Sequence, residues 1–136
     1  MSVAVFDASV ALKWLITDDI LAPPAFAARK AFDPVAPAFI QIEVANALWK
    51  YVRIGQVHLA DAVEGAAVLA KLMSLYPDED LLASAQRLAA RLTHPVYDCL
   101  YLSLAQRLSC PLVTADRRLA ERGADLGLPV TLIAAA

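Results

Sequence analysis

Glycine and histidine are both scarce in this sequence. Four glycines occur in 136 residues, and they form no glycine-rich phosphate loop. Such a loop needs several closely spaced glycines so that backbone amides can approach a phosphate, and nucleotide-binding sites of that type are therefore excluded. The two histidines, His58 and His94, stand far apart, and we predict no zinc site from them.

Cysteine and long apolar runs are also lacking. Cys99 and Cys110 do not have the paired spacing of a metal site or a disulfide framework, so we predict two packed free thiols. No apolar run reaches the roughly 18 residues of a membrane span, and the first residues carry no basic segment. We expect a soluble protein of the reducing cytoplasm.

The net charge of −2 is too small to attract nucleic acid over a long range. A phosphate-bearing substrate would therefore have to be held by local arginines or by a bound cation. The chain is 60% hydrophobic and 19% charged, which excludes a disordered protein. Its length predicts one domain over residues 1–136, and its apolar content favours a subunit contact.

Apolar runs and helical periodicity alternate along the chain. The predicted elements are strands at 3–6, 112–116 and 129–133, a short extended piece at 34–37, and helices at 9–15, 23–32, 38–54, 59–75, 80–92, 95–108 and 116–122. Ser9 is the predicted N-cap of the first helix, and Gly55 and Gly123 are predicted to end two others. Strands separated by helices predict an α/β fold with a mostly parallel sheet and helices on both faces.

Three aspartates fall at element ends in this scheme. Asp7 and Asp116 each follow a strand, and parallel strands end at the same edge of a sheet, where sites of such folds lie. Asp98 falls in the first turn of a helix. Each acid also has an ordinary structural interpretation as a turn residue, a helix cap or a partner of the helix dipole. Their joint occurrence, and not any one of them, favours a site.

A polar stripe marks the helix predicted at 38–54. Glu43, Asn46, Lys50 and Arg53 are three or four residues apart and therefore share one face of the helix. A solvated stripe would look the same. The apolar residues on either side, including Trp49, favour burial of most of the helix, and we expect Glu43 to lie in a cleft with a partner for its charge.

If the strands that precede Asp7 and Asp116 are neighbours, four acids converge on one edge of the sheet, with Glu43 and Asp98 brought in by helices. Clustered carboxylates repel one another unless some are protonated or a hard cation binds among them. Mg²⁺ or Mn²⁺ fits such a cluster. Cations of this kind hold phosphate oxygens and activate water, which indicates phosphodiester hydrolysis.

Four segments resemble the motifs of the PIN-domain family, and more closely its VapC-like branch of toxin ribonucleases. They are Val-Phe-Asp-Ala-Ser at 5–9, Glu-Val-Ala-Asn at 43–46, Tyr-Asp-Cys-Leu-Tyr-Leu-Ser-Leu-Ala at 97–105 and Leu-Val-Thr-Ala-Asp-Arg-Arg-Leu at 112–119. The motifs stand in the family's order and spacing, and the resemblance covers essentially the whole chain. Cys99 is the one departure noted, at a position where a small residue is usual.

The resemblance implies a three-layer α/β/α sandwich and an Mg²⁺-dependent endoribonuclease that cleaves RNA with a metal-activated water, Mn²⁺ being a substitute. Metal binding and catalysis fall on Asp7, Glu43, Asp98 and Asp116, and the orientation of carboxylates or waters falls on Ser9, Asn46 and Thr114. It also implies a homodimer that a cognate antitoxin inhibits in a type II toxin–antitoxin pair.

Other functions remain open at this point. One is a PIN-domain nuclease of RNA processing without an antitoxin. Another is an aspartyl-phosphate hydrolase or an Mg²⁺-binding regulatory module, although Ser9 stands where the hydrolase needs a second acid. Possible RNA contacts, more often surface or core residues, are Lys13, Lys50, Arg53, Arg117, Arg118, Trp14, Trp49 and Tyr101.

Overall fold

The computed structural model of the protein contains a central sheet of five parallel strands. Residues 1–134 are described, and the last two residues of the predicted domain, 135–136, lie outside them. The strands are β1 Val3–Phe6, β2 Asp33–Pro37, β3 Ser74–Tyr76, β4 Leu112–Thr114 and β5 Val130–Leu132. Their order across the sheet is β3-β2-β1-β4-β5, and each neighbouring pair is parallel. The predicted α/β fold with a parallel sheet is confirmed.

The helices that connect the strands are α1 Ala8–Ala11, α2 Ala22–Ala31, α3 Ile40–Arg53, α4 Leu59–Leu72, α5 Leu82–Leu92, α6 Val96–Leu108 and α7 Arg117–Asp125. The connections from β1 to β2 and from β2 to β3 move towards the β3 edge of the sheet. The connections from β3 to β4 and from β4 to β5 move in the opposite direction, towards the β5 edge. Because parallel crossovers are right-handed, the two sets of helices cover opposite faces and produce three layers. Within residues 1–134, no helix is both long enough and apolar enough to cross a bilayer.

The central strand β1 carries the core of the sheet. Ala4, Val5 and Phe6 are fully buried, and the ring of Phe6 lies 5.4 Å from that of Trp14. A strand buried on both faces needs an unbroken apolar run, which is how this segment reads in the sequence. The hydrogen bonds of β1 to its neighbours β2 and β4 therefore fix the backbone that leads directly into Asp7.

The strand β3 is missing from the sequence prediction, which continues the helix to residue 75. The helix α4 ends at Leu72, and residues Ser74–Tyr76 pair with β2, with Tyr76 opposite Pro37. The apolar residues at the end of α4 continue through Met73 to Leu75, with no glycine or proline to mark the end of the helix. A three-residue strand is too short to show its own alternation, so periodicity could not reveal the boundary.

Two residues predicted to begin or end a helix, Ser9 and Gly123, have other roles. Asp7 has the extended N-cap conformation before α1, and the hydroxyl of Ser9 binds the Asp7 carboxylate, so Ser9 is not the cap. Gly123 lies inside α7 and does not end it. A Cβ atom at Gly123 would lie 2.9 Å from Cγ2 of Val130, so this glycine allows the helix to approach β5. Gly55 does follow α3 with a φ of +80°, as predicted for a left-handed terminating residue.

Both cysteines are buried free thiols, as predicted. Burial raises the pKa of Cys99 to about 11, with a further contribution from the negative charge of Asp98. The thiol of Cys99 also lies 3.7 Å from the backbone carbonyl of His94. Cys99 therefore stays protonated near neutral pH and packs as a small apolar residue.

Candidate active site

The carboxyl ends of β1 and β4 lie side by side where the strand order of the sheet reverses. Phe6 is the register partner of Val113, and the backbone N–H of Asp7 donates to the carbonyl of Val113 at 3.3 Å. The chain leaves β1 towards β2 and later returns on the other side of β1 as β4. A reversal of this kind opens a crevice beyond the strand ends, where open α/β sheets bind ligands. The condition on which the convergence of the acids depends, that these two strands are parallel neighbours, is therefore met.

Asp7 fills the bottom of this crevice and is 5% exposed. The hydroxyl of Ser9 donates to Oδ1 at 2.6 Å, and the hydroxyl of Thr114 donates to Oδ2 at 2.7 Å. Ser9 lies in α1, which follows β1 directly, and Thr114 is the last residue of β4, so the donors come from both sides of the crevice. Each oxygen of the carboxylate is thereby held in a fixed direction.

Backbone amides after β4 fix the two hydroxyls in turn. The N–H of Ala115 donates to Oγ of Ser9 at 2.9 Å, and the N–H of Asp116 donates to Oγ1 of Thr114 at 3.0 Å. Each hydroxyl accepts one hydrogen bond from the backbone and donates its own hydrogen to Asp7. The chain segment that follows β4 is therefore tied to the carboxylate that follows β1.

The environment of Asp7 has two opposing effects on its negative charge: burial disfavours the charge, and hydrogen bonds favour it. Burial raises the pKa of Asp7 from 3.8 to about 7, the hydrogen bonds from Ser9 and Thr114 oppose this increase, and the charge of Glu43 adds to it. Two donors aimed at both oxygens suit an anion, because a protonated acid would have to donate. A nearby cation would offset the cost of burying this charge.

Glu43 lies in the first turn of α3 and faces the same crevice. The hydroxyl of Tyr101, on α6, donates to its Oε1 in a short hydrogen bond. Burial raises the pKa of Glu43, the bond from Tyr101 opposes the increase, and the charge of Asp98 adds to it. Burial and the charges of Glu43, Asp7 and Asp98 all raise the pKa of Tyr101. Three of the predicted acids therefore lie close enough to act on one phenol.

Asp98 lies in the first turn of α6 and pairs with a histidine. Nε2 of the buried His94 is 2.8 Å from Oδ2 of Asp98. A ring that carries its hydrogen on Nε2 donates to the carboxylate and fixes one of its two oxygens. Asp98 thus has a partner of its own, as Asp7 and Glu43 do.

Asp116 has a different position from the other three acids. It is exposed and forms the N-cap of α7, where Oδ1 accepts the N–H groups of Arg118 at 2.9 Å and of Leu119 at 3.2 Å. Its own N–H binds Thr114, which in turn binds Asp7. The structure therefore places Asp116 at the rim of the crevice, next to the buried acids, with the capping role described above as an alternative.

A cleft of about 260 Å³ opens beside Glu43. Its lining includes Ser9, Asn46 and Lys50, so the polar stripe of α3 forms one wall, as expected for Glu43. Asn46 and Lys50 are themselves exposed. The cleft thus combines carboxylate, amide and ammonium groups on the open side of the buried acids.

The donors of this crevice are the hard oxygen atoms that Mg²⁺ and Mn²⁺ prefer. Asp7, Glu43 and Asp98 supply carboxylates whose mutual repulsion and burial a cation would relieve. Across residues 1–134, no group of three or more His, Cys, Asp or Glu side chains is arranged to hold a metal ion. One carboxylate oxygen of Glu43 is bound by Tyr101, and one of Asp98 is bound by His94. The fit therefore lies in donor chemistry and charge, and not in a completed coordination shell.

Sequence reasoning missed the roles of Tyr101 and His94. Tyr101 was a candidate for base stacking, but it is 1% exposed and cannot meet a base. The prediction that His94 and His58 are isolated overlooks Asp98, which follows His94 by four residues. That spacing is the available signal, but His94 lies outside α6, which begins after Pro95, so helical periodicity does not place the two side chains together.

Two further candidate RNA contacts are engaged elsewhere. Trp14 is buried, and its indole N–H donates to the carbonyl of Ala25 at 3.0 Å. Nζ of Lys13 lies 2.8 Å from a carboxylate oxygen of Asp19. The exposed basic candidates are therefore on α3 and at the start of α7, on either side of the crevice: Lys50, Arg53, Arg117 and Arg118.

The family model of the PIN domain matches residues 4–124. Among curated relatives, VapC ribonuclease Mb0985 of Mycobacterium bovis is 31% identical over 130 residues, which is 95% of this chain and 97% of the relative. Ribonuclease VapC12 of Mycobacterium tuberculosis is 36% identical, over 86% of this chain and 89% of its own. Ribonuclease VapC3 of Pyrobaculum aerophilum is 34% identical over 64% of this chain and 69% of its own.

Among solved structures, the crystal structure of PAE2754 from Pyrobaculum aerophilum has the same fold, with a TM-score of 0.71. The match covers 95% of this chain and 83% of the other, at 23% sequence identity. The acids of the crevice lie within the region that the family model matches. The chain belongs to the PIN domain family and, within it, to the VapC-like branch.

Proposed function

We propose that the protein is a metal-dependent endoribonuclease and the toxin of a toxin–antitoxin pair. The proposal is supported by its relatives. They are named VapC ribonucleases, and the similarity extends over most of their length. The observation that carries it is the crevice at the ends of β1 and β4, where Asp7 and Glu43 accept hydrogen bonds from hydroxyl groups and Asp98 is hydrogen-bonded to the ring of His94. Buried carboxylates are normally paired with a cationic group or bind a metal ion, and Asp7 and Glu43 are hydrogen-bonded to neutral hydroxyls instead.

We propose Mg²⁺ as the cofactor, with Mn²⁺ as a substitute. The residues that would hold it are Asp7, Glu43, Asp98 and Asp116. When bound, such an ion would neutralise phosphate oxygens and lower the pKa of a coordinated water. Ser9 and Thr114 keep both oxygens of Asp7 in place, so the protein part of the site is organised before any ligand enters.

The exposed cations beside the crevice would bind the RNA backbone. Lys50 lines the cleft next to Glu43, and Arg117 and Arg118 open the helix that Asp116 caps. Asn46 offers an amide on the same wall. Because the net charge is −2, these local cations would supply the attraction that the whole protein lacks. We expect the protein to act in the cytoplasm, where its RNA substrate is found.

The proposal includes a second copy of the chain and an antitoxin as partners. Four large apolar side chains are exposed on α3 and α4: Ile42, Trp49, Leu59 and Val63. The expectation that Trp49 belongs to the buried side of α3 is wrong, since it is 52% exposed, with the Arg53 guanidinium 5.1 Å from its ring. An apolar face of this kind is typical of a protein contact. We assign it to the homodimer, which light scattering would detect as twice the monomer mass.

Cleavage of labelled RNA with Mg²⁺ and with EDTA tests the activity. We expect EDTA to stop cleavage and Asp98→Asn to reduce it by more than about 100-fold, because losing a metal ligand costs more than losing its outer partner. Asp61→Asn is the matched control, since Asp61 also lies in the first turn of a helix but on α4. If Asp98 served only the helix dipole, the two variants would behave alike.

Full cleavage in the presence of a chelator would contradict the proposal. Intact mass after incubation with acetyl phosphate would test the aspartyl-phosphate alternatives, and we expect no added phosphate. Both oxygens of Asp7 are bound by hydroxyl donors, and the hydroxyl of Ser9 lies where a hydrolase would place its second acid.

A further inference from the structure

The helices α3 and α6 approach the crevice from opposite faces of the sheet. The helix α3 packs chiefly against α4, and α6 packs chiefly against α5. Each helix brings one acid to the crevice, Glu43 from α3 and Asp98 from α6. The distance between these acids therefore depends on what joins the two helices above the strand ends.

A polar contact between α3 and α6 is the hydrogen bond from Tyr101 to Glu43. Tyr101 is 1% exposed, so its ring is held by the core and has little freedom to move. A buried tyrosine hydroxyl needs a hydrogen-bond partner, and Oε1 of Glu43 is the partner found here. The result is a rigid donor, anchored in one layer, that reaches a flexible carboxylate of the other layer.

Glu43 needs such an anchor more than Asp7 does. Asp7 has a short side chain bound at both oxygens, whereas a glutamate has one more rotatable bond and receives the single bond from Tyr101. Glu43 also lies on the open side of the site, in the lining of the cleft. Without the phenol, its carboxylate would turn towards solvent and away from the negative charges of Asp7 and Asp98.

We propose that Tyr101 is a positioning residue whose hydroxyl holds Glu43 in the crevice and so sets the distance between the acids of α3 and α6. The inference rests on the proposed function, because it gives Tyr101 a role in metal binding. A competing explanation is that Tyr101 only fills the core. In that case its hydroxyl would affect stability but would not affect the affinity for a cation.

The test is Mn²⁺ binding, measured by electron paramagnetic resonance without RNA, for the wild-type protein and Tyr101→Phe. Removing the hydroxyl keeps the ring and its packing. We expect the affinity for Mn²⁺ to fall about 10- to 100-fold, as for other outer-shell partners of metal ligands. Tyr97→Phe is the matched control, since Tyr97 lies one turn away on the same helix and is 52% exposed. Its affinity should match that of the wild type.

A second arm places Tyr101→Phe in a Glu43→Gln background. If the phenol acts through the Glu43 carboxylate, the added substitution should change Mn²⁺ affinity by less than about twofold there. In RNA cleavage at limiting Mn²⁺, Tyr101→Phe should lower kcat and leave KM for RNA unchanged. Should Tyr101→Phe fail to fold, Glu43→Asp tests the same bond from the crevice side, because the shorter side chain keeps its charge but does not reach the phenol.

Three results would overturn the inference in distinguishable ways. A wild-type protein that binds no Mn²⁺ would contradict the proposed function, and the role of Tyr101 with it. A wild-type protein that binds Mn²⁺ while Tyr101→Phe binds equally well would contradict only the role of Tyr101. An equal loss from Tyr101→Phe in the wild-type and Glu43→Gln backgrounds would show that the hydroxyl does not act through Glu43.

Discussion

Two aspartates at opposite ends of neighbouring strands have opposite environments. Asp33 opens β2, is exposed, and lies 3.5 Å from the N-terminal ammonium group. Asp7 follows β1, is buried, and has hydroxyls in place of a cation. The acid at the amino end of the sheet has both water and a positive charge, and the acid at the carboxyl end has neither. That difference favours the carboxyl end of the sheet as the place where a cation would bind.

The largest expected effect is a difference in RNA cleavage between variants of Asp7 and of Asp33. Asp7→Asn should reduce RNA cleavage by more than about 100-fold, because the amide cannot replace an anionic metal ligand. Asp33→Asn removes an equal charge from an exposed ion pair, and such pairs contribute about 0 to 1 kcal/mol to stability. Its cleavage rate should remain within about twofold of the wild type. Equal losses in both variants would remove the distinction between the two ends of the sheet.

A second prediction concerns the pH dependence of stability without metal. In the folded protein the pKa of Asp7 is about 7, raised chiefly by burial from 3.8. Between these pH values the folded state keeps a proton that the unfolded state has released, so the free energy of unfolding falls as pH rises through this window. Asp7→Asn should remove this decline and be more stable above pH 7, by about 1 to 4 kcal/mol.

Urea denaturation in EDTA from pH 4 to 8 measures this effect. Added Mg²⁺ should restore the stability of the wild type near pH 7.5 and leave Asp7→Asn unchanged, because a ligand stabilises only the state that binds it. A wild-type stability that rises with pH across the window would contradict the assignment of Asp7.

A smaller effect is expected from the hydroxyl that links the two strand ends. Thr114→Val keeps the shape of the side chain but removes the donor to Asp7 and the acceptor for the N–H of Asp116. Metal affinity should fall about tenfold, as expected for an outer-shell partner. Thr114→Ser retains the hydroxyl and should restore most of the affinity. Calorimetric titration with Mn²⁺ measures both, and equal losses in the two variants would show that packing, and not the hydrogen bond, is responsible.

The sequence was sufficient to predict the sheet around the crevice. Continuous apolar runs revealed β1 and the strand before Asp116, and their position between helices predicted a parallel sheet, which the structure confirms. The sequence left open whether these two strands are neighbours, and the register of Val5 with Leu112 shows that they are. The strand β3 was not predictable, because three residues after a long apolar helix carry no period of their own. Gly123 was misread because glycine often ends helices, whereas here it allows close packing.

Residue types and strand positions were sufficient to predict which acids belong to the site, but not how their side chains are bound. Asp7 could be placed at a strand end, but its partners depend on which strands are neighbours. Tyr101 looked like a core residue because periodicity reports burial and not the partner of a buried hydroxyl. The same limit applies to His94, whose pairing with Asp98 depends on the chain direction before α6.

The most direct test of a cation site at this edge of the sheet is an anomalous difference map from crystals grown with MnCl₂. We predict a peak in the crevice within coordination distance of Asp7 and Asp98, and its absence in crystals of Asp7→Asn. A map with Mn²⁺ bound at exposed acids such as Asp33, and with no peak beside Asp7, would contradict this account.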